Sequence, residues 1–347
     1  MNRLLFQRPL NPPSRILIVR NDRLGDTLLA LPVVSRLKRS LPGSEIFFVC
    51  APAIAPLIEC VEGVDKVIAF DDRSALSHIE EIRSLNADCS ICLRPSLTNA
   101  LALFRVGIGA RVGTARRWYS FLFNHRVNIS RRQSGAHEAD LNLALIESFG
   151  IKEEGSFPKF RLLSSAIEAA HRIRTDNGIE SDRRLAILHP GSGGSARNWP
   201  PQYFSQLSLL LKKNGLSVAI TGTHAERSLC DTAAGSEAVN LAGRTDLLTL
   251  TALINTASIF IAASTGPLHL AVALGKPVVG LYPPVADCLP IRWGPYGHPE
   301  YAITPDLPLC ERCVPGKFSP CRCMEQITPD LVFDRAMKIL TGIGDAN

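Results

Sequence analysis

The stretch SIFIAASTGPLHLAVALGKPVVGLYPP, residues 258–284, decides the fold of this chain. Ser258–Ala263 and Pro277–Tyr282 are short, almost wholly apolar runs, which predict strands buried on both faces. The apolar run Leu268–Leu274 between them predicts an internal helix. Pro267 suits its first turn because the N–H that proline lacks is not needed there. The stretch therefore predicts a strand–helix–strand unit of a parallel sheet.

The turn between the first strand and this helix contains Ser264, Thr265 and Gly266. A helix that begins at the carboxyl end of a parallel strand offers free N–H groups and a positive dipole, which suit a phosphate. His269 lies in the first turn of the helix, beside the expected phosphate, and we interpret it as a functional residue rather than a core histidine. An ordinary strand–turn–helix connection is the alternative.

The length and composition of the chain indicate a globular protein of two domains. It has 347 residues, of which 46% are hydrophobic and 20% charged, and no apolar run reaches the ~18 residues that a transmembrane helix needs. The first residues contain too short an apolar stretch for a signal peptide, so we expect a cytoplasmic protein. The net charge of +6 favours anionic substrates or a membrane surface over nucleic acid.

Strand-like and helix-like segments alternate in two series along the chain. The first series begins at Ile16–Arg20 and includes a weaker strand at Val106–Gly109, and the second begins at Leu185–His189. This alternation predicts an α/β protein with two Rossmann-like, doubly wound domains that face a cleft. The predicted domains are residues 1–159 and 160–347, with a final helix at 329–340.

The first predicted strand leads into the polar turn of RLGDTLLALP, where Asp26 stands at the start of a helix. Asp26 is either a helix cap or a base that accepts a proton from a substrate hydroxyl at the carboxyl edge of the sheet. Pro32 lies within the predicted helix Thr27–Ser40, so it either kinks the helix or marks its true start. Arg94 follows a later strand of the same series and is expected at the same edge.

A glycine- and serine-rich loop, in HPGSGGSARNWP, follows the first strand of the second series. Residues 191–196 formally match a dinucleotide fingerprint, but four further residues precede the helix and the next strand ends without an acid for a ribose. A loop with N–H donors, hydroxyls and Arg197 instead fits a diphosphate, with Ser192 and Gly193 as candidate contacts. Glu226 is either a ribose ligand or a first-turn acid of a helix.

The segment Arg111–Arg132 combines six arginines with four aromatic residues. Either a solvated basic loop or a binding site for a phosphorylated, lipid-linked acceptor at a membrane surface accounts for this composition. Arg116 and Arg117 are the candidate acceptor-binding residues, together with Arg94.

Four cysteines lie close together near the end of the chain: Cys310, Cys313, Cys321 and Cys323. The first pair has the Cys-x-x-Cys spacing of half a zinc site, whereas the Cys-x-Cys of the second pair is less usual for the other half. Two interpretations remain from the sequence: the four cysteines bind a structural zinc ion, or they are reduced, unliganded thiols.

The chain resembles glycosyltransferase family 9, the ADP-heptose lipopolysaccharide heptosyltransferases, over roughly residues 15–340. The resemblance is carried by the motifs already quoted, by LRPSLTNALALFRVGIGARVG and by the late cysteine loop. It implies a GT-B fold, with an acceptor-binding first domain and a nucleotide-sugar-binding second domain. It also implies transfer of a heptose or related sugar, with inversion, from an ADP-sugar to the inner core of lipopolysaccharide.

The resemblance assigns roles to most of the candidate residues. Asp26 matches the catalytic base, Ser192, Arg197 and Glu226 match donor-binding residues, and Thr265, Gly266 and His269 match the diphosphate turn. Ser264 departs from the family, which has an aspartate there that helps to hold the donor sugar, so the identity of the sugar is open. The resemblance further implies a phosphorylated glycolipid acceptor, peripheral association with the inner membrane, and no required cofactor.

Two other functions remain as alternatives. One is a GT-B nucleotide-sugar epimerase, which would need no separate acceptor. The other is a nucleotide-binding homologue of the transferases without catalytic activity. The product formed from ADP-heptose, with and without a core acceptor, distinguishes all three.

Overall fold

A computed structural model describes residues 12–131, 135–151, 155–180, 182–194, 196–310 and 322–342. The chain divides into two compact units, of which the first ends at Arg161 and the second begins at Leu162. The predicted boundary, at 159/160, lies close to this point.

The first unit is an alternating α/β domain whose six described strands form one parallel sheet. Its strands are β1 (Arg15–Val19), β2 (Glu45–Cys50), β3 (Lys66–Ala69), β4 (Cys89–Cys92), β5 (Ala110–Thr114) and β6 (His125–Val127). Its helices are α1 (Leu24–Leu28), α2 (Leu31–Ser40), α3 (Ala55–Glu59), α4 (Ile79–Ser84), α5 (Leu97–Val106) and α6 (Glu138–Leu143).

The second unit repeats this architecture with a further six described strands. Its strands are β7 (Leu185–His189), β8 (Ser217–Ile220), β9 (Val239–Asn240), β10 (Ile259–Ala263), β11 (Val278–Leu281) and β12 (Ala302–Ile303). Its helices are α7 (Ser164–Asp176), α8 (Pro201–Lys213), α9 (Arg227–Ala234), α10 (Leu247–Asn255), α11 (Gly266–Ala273), α12 (Pro290–Trp293) and α13 (Pro329–Gly342).

Both sheets have the same strand order. The first runs β3-β2-β1-β4-β5-β6 and the second β9-β8-β7-β10-β11-β12, and neighbouring strands are parallel throughout. The order reverses between β1 and β4, and again between β7 and β10. Doubly wound sheets bind their ligands outside the carboxyl ends of the strands at such a switch point.

The structure corrects some predicted elements. The strand predicted at Val106–Gly109 is wrong, because α5 continues to Val106 and the strand begins only at Ala110. Gly107, with a φ of 85°, ends α5 in the left-handed conformation that favours glycine. The long helix predicted at Thr27–Ser40 is two helices, and Pro32 lies in the first turn of the second. Pro32 therefore marks a true helix start, as one of its two interpretations predicted.

Candidate active site

Arg20, the residue after β1, is the centre of a buried group of charges at the switch point of the first sheet. Its guanidinium donates from Nε to Asp22 Oδ1 at 2.8 Å, from Nη2 to Asp26 Oδ1, and from Nη1 to Glu138 Oε1 at 3.2 Å. Arg131 Nε donates to the same oxygen of Glu138 at 2.9 Å. We call these five residues the Arg20 cluster. It brings together charges from the β1–α1 loop and from the region of α6, far apart in the sequence.

Within the Arg20 cluster, Asp26 combines a fixed position with access to solvent. Its side chain is 21% exposed, whereas those of Arg20 and Glu138 are 4% and 1% exposed. Burial raises the pKa of Asp26 above its usual range, and the nearby charge of Arg20 opposes the rise. The cap position of α1 is held by Arg23, without a side-chain cap hydrogen bond, so Asp26 is not the helix cap. Its role as a base remains a prediction.

The β1–α1 loop, which leads to Asp26 in the first turn of α1, is also fixed by uncharged contacts. Asn21 and Asn99 are both buried and exchange two side-chain hydrogen bonds, of 3.1 and 2.8 Å. Thr27 Oγ1 donates to the carbonyl oxygen of Arg20 at 3.3 Å. A buried reciprocal amide pair satisfies its own polar atoms and specifies one arrangement of the two elements that it joins. The β1–α1 loop is therefore held to the first turn of α5.

The three predicted acceptor-binding arginines lie in two different places in the first domain. Arg94 lies beside the Arg20 cluster, with Nη1 3.2 Å from Asp22 Oδ2 and Nη2 3.7 Å from Asp72 Oδ2. Arg116 and Arg117 lie on the β5–β6 connection, where both are exposed. Arg116 Nη1 donates to Asn128 Oδ1 at 3.2 Å. Arg94 is thus the one that the fold brings to the switch point, and acceptor binding by all three remains a prediction.

The β5–β6 connection also exposes large aromatic side chains. Trp118 and Phe121 are 75% and 66% exposed, whereas Tyr119, Leu122 and Phe123 are buried in the domain core. The buried residues anchor the connection in the core, and the two exposed rings project from it. Within the described residues, no helix is both long and apolar enough to cross a membrane.

In the second domain, the two predicted donor-binding segments follow adjacent strands at the switch point. β7 pairs with β10, with His189 opposite Ala262, and the glycine-rich loop and the Ser-Thr-Gly-Pro turn begin immediately beyond these residues. Gly193 is exposed, with a φ of 54°, and Arg197 is half-buried. Ser192 Oγ donates to the carbonyl oxygen of Ala196 at 2.9 Å. Two segments predicted separately from the sequence thus leave neighbouring strands.

The turn after β10 forms the start of α11. Thr265 is the N-cap residue, and its Oγ1 accepts a hydrogen bond from the backbone N–H of Leu268 at 3.4 Å. Ser264 and Gly266 are half-buried beside it, and His269 is buried in the first turn of the helix. Because the hydroxyl of Thr265 serves the cap, the turn would act on a phosphate mainly through its remaining N–H groups and the helix dipole.

Glu226 belongs to a helix start in the structure. It ends a short 3₁₀ turn, His224–Glu226, that precedes α9, and its Oε2 accepts from Thr223 N at 2.9 Å and from Thr223 Oγ1 at 2.8 Å. These contacts form a capping box, as the first-turn interpretation predicted. Binding of a ribose by Glu226 remains a prediction.

The model of glycosyltransferase family 9 (heptosyltransferase) matches residues 75–313, which is more than half of the sequence. The chain belongs to glycosyltransferase family 9. It is therefore a glycosyltransferase, as the sequence resemblance implied.

Curated relatives of this family 9 chain match it over most of its length. It is 29% identical over 302 residues to a putative glycosyltransferase of Haemophilus influenzae, covering 81% of this chain and 86% of that protein. It is 23% identical over 307 residues to the lipopolysaccharide core heptosyltransferase OpsX of the same species, covering 84% of each. Heptosyltransferases are thus among the relatives.

The solved structure of Escherichia coli ADP-heptose lipopolysaccharide heptosyltransferase II superposes on this chain with a TM-score of 0.78. The sequence identity is 20%, and the match covers 95% of this chain and 99% of the other. This likeness confirms the predicted GT-B fold of two parallel-sheet domains.

The predicted metal site of this family 9 chain falls partly on residues that the structure does not describe. Cys313 and Cys321 lie outside the described residues, whereas Cys310 is half-buried and Cys323 is buried. Among the residues that are described, no group of three or more His, Cys, Asp or Glu side chains is arranged to hold a metal ion. A zinc site at the four cysteines remains a prediction, which metal analysis of the purified protein for zinc and iron would test.

Three important residues of the first domain were not among the sequence candidates: Arg20, Glu138 and Arg131. The contact between Arg20 and Glu138 spans 118 positions of sequence. No local pattern predicts a pairing over this distance. A weak signal for Arg20 was available, since a charged residue directly after a buried strand in a doubly wound sheet stands at the ligand-binding edge.

Proposed function

We propose that this family 9 enzyme is an inverting heptosyltransferase that transfers a heptose, or a closely related sugar, from an ADP-sugar to the inner core of lipopolysaccharide. The observation that carries the proposal is that the glycine-rich loop and the Ser-Thr-Gly-Pro turn follow the carboxyl ends of the paired strands β7 and β10. Loops of this kind bind phosphates through backbone N–H groups at a helix start. The donors and acceptors named for the relatives point in the same direction.

The proposed chemistry is a single in-line displacement at the anomeric carbon of the donor. The acceptor hydroxyl attacks, and Asp26 takes its proton on Oδ2, since Oδ1 faces Arg20. Arg197, His269 and the first turn of α11 stabilise the negative charge that develops on the departing diphosphate. The acceptor oxygen forms the new bond on the face opposite to the leaving ADP, so the configuration inverts.

Product analysis tests the proposal directly. With ADP-heptose and a truncated, deacylated lipopolysaccharide core, we expect release of ADP and a heptosylated core, both dependent on the acceptor. The same assays with other ADP-sugars and with UDP- and GDP-sugars define the donor. An epimerised nucleotide sugar formed without acceptor would replace the proposal with the epimerase alternative. Binding of ADP without any product would indicate a non-catalytic homologue.

Ser264 is expected to influence which sugar is transferred. A site without an acidic hydrogen-bond acceptor cannot select strongly for the hydroxyl that such an acceptor would hold. We predict that Ser264→Asp changes the ratio of kcat/KM between ADP-heptose and another ADP-sugar by more than it changes the Kd of ADP. Steady-state kinetics and calorimetry measure the two quantities. Equal losses for both sugars, together with a matching loss of ADP binding, would show that Ser264 shapes the phosphate turn instead.

We further propose that the β5–β6 connection binds the surface of an anionic membrane, where a lipid-linked acceptor lies. Exposed aromatic rings beside arginines are typical of interfacial contacts, and here Trp118 and Phe121 lie beside Arg116 and Arg117. The double variant Trp118→Ser/Phe121→Ser is expected to bind vesicles containing phosphatidylglycerol about tenfold or more weakly in sedimentation assays.

A matched control removes exposed apolar side chains from the second domain. Ile291 and Leu331 are 58% and 43% exposed, and Ile291→Ser/Leu331→Ser should leave vesicle binding unchanged. Vesicles of neutral phosphatidylcholine should bind the unaltered protein more weakly than anionic vesicles. Equal binding by the two double variants would exclude this surface as the membrane contact.

A further inference from the structure

The carboxylate of Glu226 reaches from its own helix start into the glycine-rich loop. Besides its two bonds to Thr223, it lies against Gly191 of this loop, and the backbone N–H of Gly193 is close enough to lower its pKa. It thereby joins the β8–α9 connection to the loop that follows β7.

Only glycine fits at position 191, because the Glu226 carboxylate occupies the space that a side chain would need. A Cβ atom at this position would lie 2.1 Å from Glu226 Oε1 and 2.4 Å from its Cδ. Gly191 is not among the glycines with positive φ, unlike Gly193 and Gly194. Position 191 therefore requires glycine for steric reasons and not because of its backbone conformation.

The environment keeps this carboxylate ionised although it lies beside a predicted diphosphate site. Burial acts to raise the pKa of Glu226, but the two hydrogen bonds from Thr223 and the nearby backbone N–H of Gly193 hold it below its usual range. His189 is buried, with Nδ1 3.0 Å from Thr221 Oγ1, and burial lowers its pKa to about 4, so it is neutral near pH 7. A negative charge here would repel a phosphate, so a direct contact between this carboxylate and the diphosphate is unfavourable. A structural role within the loop would explain why an acid stands at this position.

We propose that Glu226 is a positioning residue, whose carboxylate holds Gly191 and Gly193 in the conformation that presents the remaining N–H groups of the loop to the donor diphosphate. The inference rests on the proposed function, in that the loop binds a nucleoside diphosphate. It differs from the ribose-ligand prediction, because it does not require Glu226 to touch the donor.

The experiment is a double-mutant cycle between Glu226 and Gly191, read as the Kd of ADP. Glu226→Ala releases the loop and Gly191→Ala displaces the carboxylate, so each is expected to weaken ADP binding about tenfold. In Gly191→Ala/Glu226→Ala the new methyl group has room, so the double variant should bind ADP no more weakly than Glu226→Ala alone. Glu226→Gln keeps one acceptor oxygen and should lose less than Glu226→Ala. Fully additive losses would overturn the proposed contact.

Two further measurements separate this role from the others. A ribose ligand predicts that Glu226→Ala loses affinity for ADP but not for 2′,3′-dideoxy-ADP, whereas a positioning residue predicts the same fold-loss for both. In the protein without nucleotide, amide hydrogen exchange at Gly191–Gly194 should be faster in Glu226→Ala than in the unaltered protein. The control Glu237→Ala removes a carboxylate of the same domain, paired with Lys212, and should change neither readout.

The exchange measurement keeps the two proposals distinguishable. If the unaltered protein fails to bind ADP, the proposed donor site is wrong, but the exchange rates still report on the loop. Unchanged exchange in Glu226→Ala would overturn the positioning role even if ADP binds as expected. If Glu226→Ala loses affinity for ADP but not for 2′,3′-dideoxy-ADP, Glu226 binds the ribose and the positioning role is wrong.

Discussion

Asp26→Asn is expected to lower kcat by about 10²-fold or more while KM for the donor stays nearly unchanged. Asparagine keeps the size of the side chain and an oxygen that Arg20 can reach, but it cannot accept a proton from the acceptor hydroxyl. Because a base acts mainly in the transition state, the loss appears in turnover rather than in donor binding. Single-turnover and steady-state kinetics with a saturating acceptor measure both quantities.

The comparison variant for this prediction is Asp22→Asn, which removes another negative charge beside Arg20. Asp22 is 14% exposed and pairs with both Arg20 and Arg94, and the proposal gives it no proton to accept. Its loss of kcat should be much smaller than that of Asp26→Asn. Similar losses in the two variants would assign the effect to the charge balance of the Arg20 cluster and remove Asp26 as the base.

The pH dependence follows from the same assignment. A base is inactive when protonated, so kcat/KM falls as the pH drops through the pKa of Asp26. Burial raises this pKa, so the acidic limb is expected above the ordinary aspartate value of about 3.9. The limb should disappear in Asp26→Asn. A profile whose acidic limb is the same in both proteins would show that another group titrates there.

The sequence predicted those parts of the fold whose signals are local. The run from Ser258 to Pro284 predicted β10, α11 and β11, because buried strands, a proline in the first turn and a terminal glycine are all readable within a few residues. The alternation of elements predicted two doubly wound domains for the same reason.

Two short strands at the sheet edges, β6 and β12, were not predicted from the sequence. β6 and β12 have three and two residues, and a strand of this length shows no periodicity. At Val106–Gly109 the alternation of apolar residues with glycines imitated a strand. The structure has a helix end there, because Gly107 adopts the left-handed conformation of a helix cap.

The candidate site was predicted where it depends on single motifs and missed where it depends on tertiary pairing. Asp26 and the donor-binding loop stand out because each follows a buried strand. Glu138 did not, since an acid at the start of a polar helix usually lies in solvent, and only the fold shows that its side chain is 1% exposed. The contact of Glu226 with Gly191 was missed for the same reason, because it joins residues that lie far apart in the sequence.

Arg20→Met is expected to give the largest loss of stability of any single substitution considered for this protein. It removes the cation that Asp22, Asp26 and Glu138 share and leaves their charges less compensated in a buried site. Removing one partner of a buried ion pair typically costs about 3–5 kcal/mol. Urea unfolding, followed by a probe in the first domain, measures the change in the free energy of unfolding. Arg20→Lys keeps the charge but not the planar fork, so it should lose less.

The matched control is Arg83→Met, which removes an arginine from an exposed pair with Glu80 in the same domain. Those side chains are 47% and 83% exposed, and a pair of this kind contributes at most about 1 kcal/mol. Arg20→Met should also shift the acidic limb of kcat/KM to higher pH, because the charge of Arg20 lowers the pKa of Asp26 and its removal lets burial raise it further. Stability equal to that of Arg83→Met, with an unmoved acidic limb, would contradict the view that Arg20 both anchors the switch point and tunes the base.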